Sequence, residues 1–347
     1  MKILLKVIKI FSYCLLLFIV GYSVFNFQLV GYGIAQLKGQ VKILYNAEPI
    51  EAKLTDPNFP DSLKDKLRLI HEIKKFAHDS LGLIVSKNYT KVYDQKGKPV
   101  LWVITACRPF SMQDYEWDFP FLGKVSYKGF FEEERGQPEL KKIEDLGYDV
   151  EYRPTAAWST LGWFEDPILS NMLRRSEGQL AELIIHELTH TTLYLPGSVD
   201  YNENFATFVG EQGAIQFLKY KYGTNGIAYT NYIHYQYDEK IYGDYMIQAV
   251  YSLDSLYHTF PTHLHRLQKL HLKYKKIAQI MHGIHQLPLY HPQRYRFDFR
   301  HEVLPNNTFF MSFYRYRNQQ NEFNLTPILT AHDLSQFIID QKKGATR

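Results

Sequence analysis

The sequence predicts a predominantly helical α+β fold: an N-terminal transmembrane helix, then a body with a small sheet and a helical C-terminal part. Three observations predict it. Ile10 to Leu37 contains no charged residue. Apolar residues recur at three- and four-residue spacing through most of the remaining chain. Between Lys98 and Phe131 that period gives way to runs rich in β-branched and aromatic residues. With 347 residues, 45% hydrophobic and 16% aromatic, the chain can bury a large core, which excludes a disordered chain.

The N-terminal stretch is predicted to span. Roughly 20 apolar residues cross a hydrocarbon core, and Ile10 to Val30 supplies them. Lys2, Lys6 and Lys9 precede the stretch, so the positive-inside bias puts the N-terminus in the cytoplasm and the body outside, facing the periplasm or exterior. The competing reading is a cleaved signal peptide, with Gly33 and Ala35 near the cut; the apolar region is long for one. Lipid attachment at Cys14 fits poorly after the bulky Tyr13.

Beyond it, Gln40–Leu54 and Asp61–Leu83 read as amphipathic helices, the second capped by Asp61 or Ser62. Lys98–Phe110 and Gly123–Phe131 read as strands, followed by a helix over about Glu132–Leu146 that ends at Gly147. Tyr148–Phe164 is predicted extended; within it "AAWSTLGW" reads equally as an edge strand for an extended ligand or as a core strand. Pro167 opens a helical turn towards Arg174 and Arg175, and Glu177–Leu195 suits a helix that Pro196 and Gly197 end. Past Tyr222 the chain reads as mostly helical, broken around Pro261.

Charge and cysteine content exclude other classes. Without the three N-terminal lysines the chain has 37 basic and 36 acidic residues, so nothing draws it to nucleic acid. Cys14 and Cys107 are the only cysteines, and one lies in the proposed span, so folding rests on core packing. Asn88, Asn306 and Asn324 start N-x-T triplets of the kind that arise by chance.

The chemistry concentrates in "IIHELTHTTLYLPGSVDYNENFA", Ile184 to Ala206. Two histidines four apart share one helix face, so His186 and His190 can point at one metal ion. Glu187 is rotated off that axis, where a general base acting on a water would stand. Catalytic zinc takes three protein ligands, and Glu203, opening a second amphipathic stretch, is the best third candidate. Glu211, two turns on, is a candidate hydrogen-bond acceptor for a liganding histidine, or a plain surface carboxylate. An oxyanion donor among Tyr127, Tyr201 and Tyr316 stays open.

His186-Glu187-Leu188-Thr189-His190 followed by Asn202-Glu203-Asn204-Phe205-Ala206 resembles the gluzincin metallopeptidases. With "WDFPFLGKVSYKGFF", "AAWSTLGWFEDPILS" and "NENFATFVGEQG", the chain from about Tyr32 onward is more closely similar to the bacterial predicted aminopeptidase family. The resemblance implies a zincin-like catalytic domain, zinc on His186, His190 and Glu203, Glu187 as the catalytic base and a peptide substrate. The chain is expected to divide into four segments: an anchor over 1–35, a helical segment over 36–98, a zincin-like catalytic core over 99–222, and a helical part over 223–347 completing the body. Alternatives are an anchored endopeptidase of the same mechanism and a zinc-braced non-catalytic scaffold at the membrane. Family members often carry cysteines where this chain has Asp118 and Lys124, so an ion pair is expected in place of a bridge.

Overall fold

The computed structural model describes residues 6, 9, 13, 21 and 25–345, except 85–86, 121–122, 156–164, 196–197, 300, 302 and 318–328. It forms two compact units, Met1–Ala47 and Glu48–Arg347.

The first unit contains α1 (Phe27–Tyr45), ended by Asn46, whose side-chain amide donates to the Lys42 carbonyl at 2.6 Å. No helix among the described residues is long and apolar enough to cross a membrane. This overturns the transmembrane part of the predicted fold class, and with it the single-pass anchor and the extracytoplasmic placement that rested on it. Helix α1, the described helix that overlaps the predicted span, carries Gln36, Lys38, Gln40 and Lys42 among its apolar residues and so lacks the uninterrupted apolar run that a span needs. Most of Ile10–Val30 falls outside the described residues.

The second unit is helical with small sheets. Strand β1 (Glu48–Pro49) interrupts what the periodicity predicts as one helix over Gln40–Leu54, and α2 (Ile50–Thr55) follows it. Helix α3 (Asp61–Leu81) starts after Pro60 with no side-chain cap and ends at Gly82, in the left-handed conformation at φ 70°. Strands β2 (Lys91–Tyr93), β3 (Leu101–Cys107), β4 (Trp117–Phe119), β5 (Gly123–Val125) and β6 (Tyr127–Phe130) precede α4 (Glu133–Asp145), and β7 (Asp149–Thr155) and β8 (Ile168–Leu169) follow it. The main sheet runs β6-β3-β7, antiparallel throughout, with Ile104 opposite Lys128 and Tyr152. A second sheet, β1-β2-β8, pairs Val92 in parallel with Ile168. Asp118 and Lys124 face each other across β4 and β5, yet the Lys124 ammonium lies against Glu116 at 3.6 Å, so the expected cross-strand pair gives way to a neighbouring one.

A 3-10 turn (Ser170–Arg174) leads into α5 (Glu177–Thr192), then α6 (Val199–Tyr222), α7 (Ile227–His258), α8 (Arg266–Gly283), α9 (Asn307–Arg317) and α10 (Ala331–Ala345). One core joins Leu67, Ile70 and Ile73 of α3, Ile184, Ile185 and Leu188 of α5, and Phe205, Val209 and Phe217 of α6. A second joins α7, α8 and α9 around Met246, Leu253, Ile277 and Phe310. Each such apolar side chain removed from water contributes about 1.5–3 kcal/mol. The α3–α5–α6 core is what holds the chemically distinctive residues of α5 in place.

Candidate metal centre

Helix α5 begins with a full capping box: the Ser176 hydroxyl accepts from the Gln179 N–H at 3.3 Å, and the Gln179 side chain accepts from the Ser176 N–H at 3.2 Å. Leu180, Ile184, Ile185 and Leu188 form its buried stripe. That stripe leaves Glu182, His186 and His190 on another side at successive four-residue steps, Glu182 against the buried Tyr232 and the two histidines partly exposed. The helix stops at Thr192, before the predicted Pro196 and Gly197, which lie outside the described residues. Thr189 and Thr192 donate their hydroxyls back to the carbonyls of Ile185 and Leu188 at 2.8 Å, and Thr192 also accepts from the Ile84 N–H.

The turn into α6 is fixed by a buried amide. Asn202, 2% exposed, donates to the Leu195 carbonyl and accepts from the Leu195 N–H, both at 2.8 Å. The next residue is Glu203, which this clamp carries over the histidines. Its carboxylate lies 3.5 Å from His186 Nε2 and 3.4 Å from His190 Nε2, while the two Nε2 atoms are 3.1 Å apart. The structure therefore brings together all three residues predicted as ligands, with their donor atoms within 4.8 Å of one another.

Those separations test whether a cation fits. Three ligands of a tetrahedral ion with bonds of about 2.0–2.1 Å stand about 3.3–3.4 Å apart. The Nε2–Nε2 separation of 3.1 Å is close to such an edge, and the carboxylate faces both rings, Oε2 at 3.5 Å from His186 and Oε1 at 3.4 Å from His190. Two neutral imidazoles and a carboxylate are a donor set for a divalent metal ion, so the group can hold one. The Glu203 side chain is 58% exposed, against 20% and 22% for the two histidines, which leaves the site open to solvent on the carboxylate side.

The electrostatics follow from these contacts. Hydrogen bonds from His186 and His190, then their charges, hold the Glu203 carboxyl far below its ordinary value. Burial works against protonation of His190, but the Glu203 hydrogen bond and charge outweigh it and raise its pKa. Glu187 is raised by burial, opposed by the two imidazoles. Its carboxylate, the predicted base, accepts no hydrogen bond from any described residue and is left available for a proton.

Several surrounding residues carry no sequence signal. Gly210 lets α6 close on α5: a Cβ there would stand 2.9 Å from the Glu182 carbonyl oxygen and 3.1 Å from His186 Cβ. Glu182 accepts from the Tyr232 hydroxyl at 2.9 Å and from Gln236 at 3.3 Å, which ties α7 to α5 one turn before His186. Glu211, the sequence candidate for supporting a histidine, has an electrostatic interaction with Tyr232. Of the tyrosines, Tyr201 donates to Gln341 at 2.7 Å and stacks on Phe205, Tyr127 is exposed on β6, and the side chain of Tyr316 is outside the described residues.

The family described as "Putative aminopeptidase" matches residues 31–344 of the chain. No curated protein and no solved structure matches it.

Proposed function

The chain belongs to the family described as "Putative aminopeptidase", and from that membership and the His-His-Glu cluster we propose a zinc-dependent peptidase of gluzincin type, with His186, His190 and Glu203 as ligands and Glu187 as general base. The family description supports a peptide substrate. The observation that carries the reading is the trio of donor atoms within 4.8 Å, beside the partly buried Glu187 carboxylate, which accepts no hydrogen bond from a described residue.

Zinc, when bound, supplies Lewis acidity: it lowers the pKa of a water to about 7 and polarises a carbonyl. The remaining work belongs to the chain. The imidazoles of His186 and His190 act as neutral donors through Nε2, and Glu203, anionic across the physiological range, adds the one negative charge of the ligand set. Glu187 follows His186 directly and so projects to the side of the ligand face. There it takes the proton of the attacking water and returns it to the leaving amine. Burial raises its pKa, which makes the carboxylate a stronger base than an exposed glutamate.

Metal content and peptide hydrolysis of the wild type and of Glu187→Gln test this. Loss of hydrolysis by about 10²-fold or more with metal retained is the expected result. Full activity in Glu187→Gln, or a wild type that takes up no zinc, rejects the reading. Peptides with a free and with an acetylated amino terminus then separate exo- from endopeptidase action.

A further inference from the structure

Residues 255–297 contain no aspartate or glutamate, yet carry seven lysines and arginines and seven of the 14 histidines. The remaining 304 residues hold 33 basic and 36 acidic residues, so the positive charge is concentrated in this one stretch. The stretch covers the end of α7, all of α8 and the turn around Pro292–Arg294.

Of its lysines and arginines, only Lys273 pairs with a carboxylate among the described residues, turned inward and fully buried against Asp149, while His258 lies 3.5 Å from Asp254. Arg266 and Lys269 lie over the Phe110 ring at 5.9 and 6.0 Å. Lys275, Lys276, Arg294 and Arg296 form no ion pair among the described residues. Arg294 and Arg296 line a cavity of about 470 Å³ with Tyr242 and Tyr295. Arg296 also lines a neighbouring cavity of about 480 Å³, where the His282 and Phe299 rings stack with centroids 4.1 Å apart. Phe297 is common to both. Their acids are Glu151, paired with Arg153 at 3.4 Å, and Asp298, itself engaged.

We infer that this wall of α8 and residues 294–299 is a docking surface for an acidic segment of a polypeptide. Charge complementarity selects an anionic partner. Lys275 and Lys276 lie on a helix about 27 Å long and Arg294 and Arg296 at a cavity beyond its end, so the charge is spread over more surface than a single compact anion covers. Two adjoining cavities with aromatic walls take the side chains of an extended chain, whereas a flat bilayer would leave them empty. The surface lies apart from the metal ligands in sequence and uses none of them, so the inference goes beyond the hydrolytic reading.

The test is fluorescence anisotropy of a labelled glutamate-rich peptide on the full chain, with a glutamine-rich peptide as control, at low and high salt. A chelator is present, so the result is independent of hydrolysis. Expected are binding of the glutamate peptide only, weakening with salt, and a loss of about tenfold or more in Arg294→Gln/Arg296→Gln. Lys275→Gln/Lys276→Gln, exchanged on the other part of the wall, is expected to weaken binding as well and serves if the first variant misfolds. Equal binding of the glutamine peptide overturns the inference, as does undiminished affinity in both folded variants. Displacement by inorganic polyphosphate or by phosphatidylglycerol vesicles at lower anion concentration than the peptide assigns the surface to those ligands and overturns it too.

Discussion

The side-chain amide of Asn202 is bound to both backbone groups of Leu195, donating to its carbonyl and accepting from its N–H at 2.8 Å each. The pair closes the turn between α5 and α6, and Glu203 follows directly. Asn202→Ala leaves two backbone groups unsatisfied, at about 1–3 kcal/mol each. It also frees the start of α6, so metal affinity is expected to fall by about tenfold or more. Urea unfolding and competitive zinc titration measure the two effects. Unchanged zinc affinity in a destabilised Asn202→Ala protein would show that the clamp serves the fold alone.

Gly210 sets the spacing of the same two helices. A methyl group there would meet the Glu182 carbonyl oxygen at 2.9 Å, a backbone atom that cannot rotate away. Alanine gains up to about 1 kcal/mol of helix propensity, against about 1–3 kcal/mol of overpacking. Gly210→Ala is therefore expected to lose stability and to weaken zinc binding, because the displaced helix carries Glu203 with it. Thermal unfolding with and without zinc reads both; a more stable variant with native zinc affinity contradicts the close-packing argument.

How much of this is legible in the sequence depends on range. The four-residue spacing of His186 and His190 is a local matter, and the structure places both on one helix side with Glu203 against them. The role of Asn202 is not legible, because its partner Leu195 is an ordinary apolar residue whose backbone, not its side chain, makes the contact. Gly210 reads as a weak point of a helix until the neighbouring helix is seen at 2.9 Å. The strands Lys98–Phe110 and Gly123–Phe131 announce themselves by composition, but their pairing with β7 depends on contacts far along the chain. The N-terminal span is read from hydropathy over Ile10–Val30, most of which lies outside the described residues; the described helix that overlaps it, α1, is not long and apolar enough to cross a membrane.

Glu139 gives the fold a pH dependence separate from the metal centre. Burial alone would raise its pKa, but the Lys128 ammonium at 2.8 Å and the Trp117 indole N–H at 3.0 Å hold it below the ordinary 4.5. A folded value below the unfolded one means that ionised Glu139 stabilises the fold above the usual carboxylate range. That contribution is lost as the pH falls through the depressed folded value. Wild type and Glu139→Gln are thus expected to differ in urea stability at neutral pH and to converge in acid. A gap that stays constant down to acid pH would assign the difference to packing.

Lys273 is the most consequential charge inside the second core. It is fully buried, paired with Asp149, and donates to the Pro109 carbonyl at 3.0 Å. Asp149 also accepts from the Asn307 N–H at 2.9 Å, and Asn307 in turn accepts from Tyr257 at 2.7 Å, so α7, α8, α9 and the sheet meet at one ion pair. Burial lowers the Lys273 pKa, only partly offset by Asp149, which marks the pair as held against desolvation. Removing one partner leaves the other charge unpaired, so Lys273→Met is expected to cost about 3–5 kcal/mol. Asp149→Asn should cost a similar amount, since Asn keeps an acceptor for Asn307 but not the charge. If the ion pair is the cause, Lys273→Met/Asp149→Asn costs clearly less than the two single changes together, because the second removal no longer exposes an uncompensated charge. Equilibrium unfolding of the three variants decides it: additive losses would mean that each side chain acts through its own neutral contacts and that the pair itself contributes nothing.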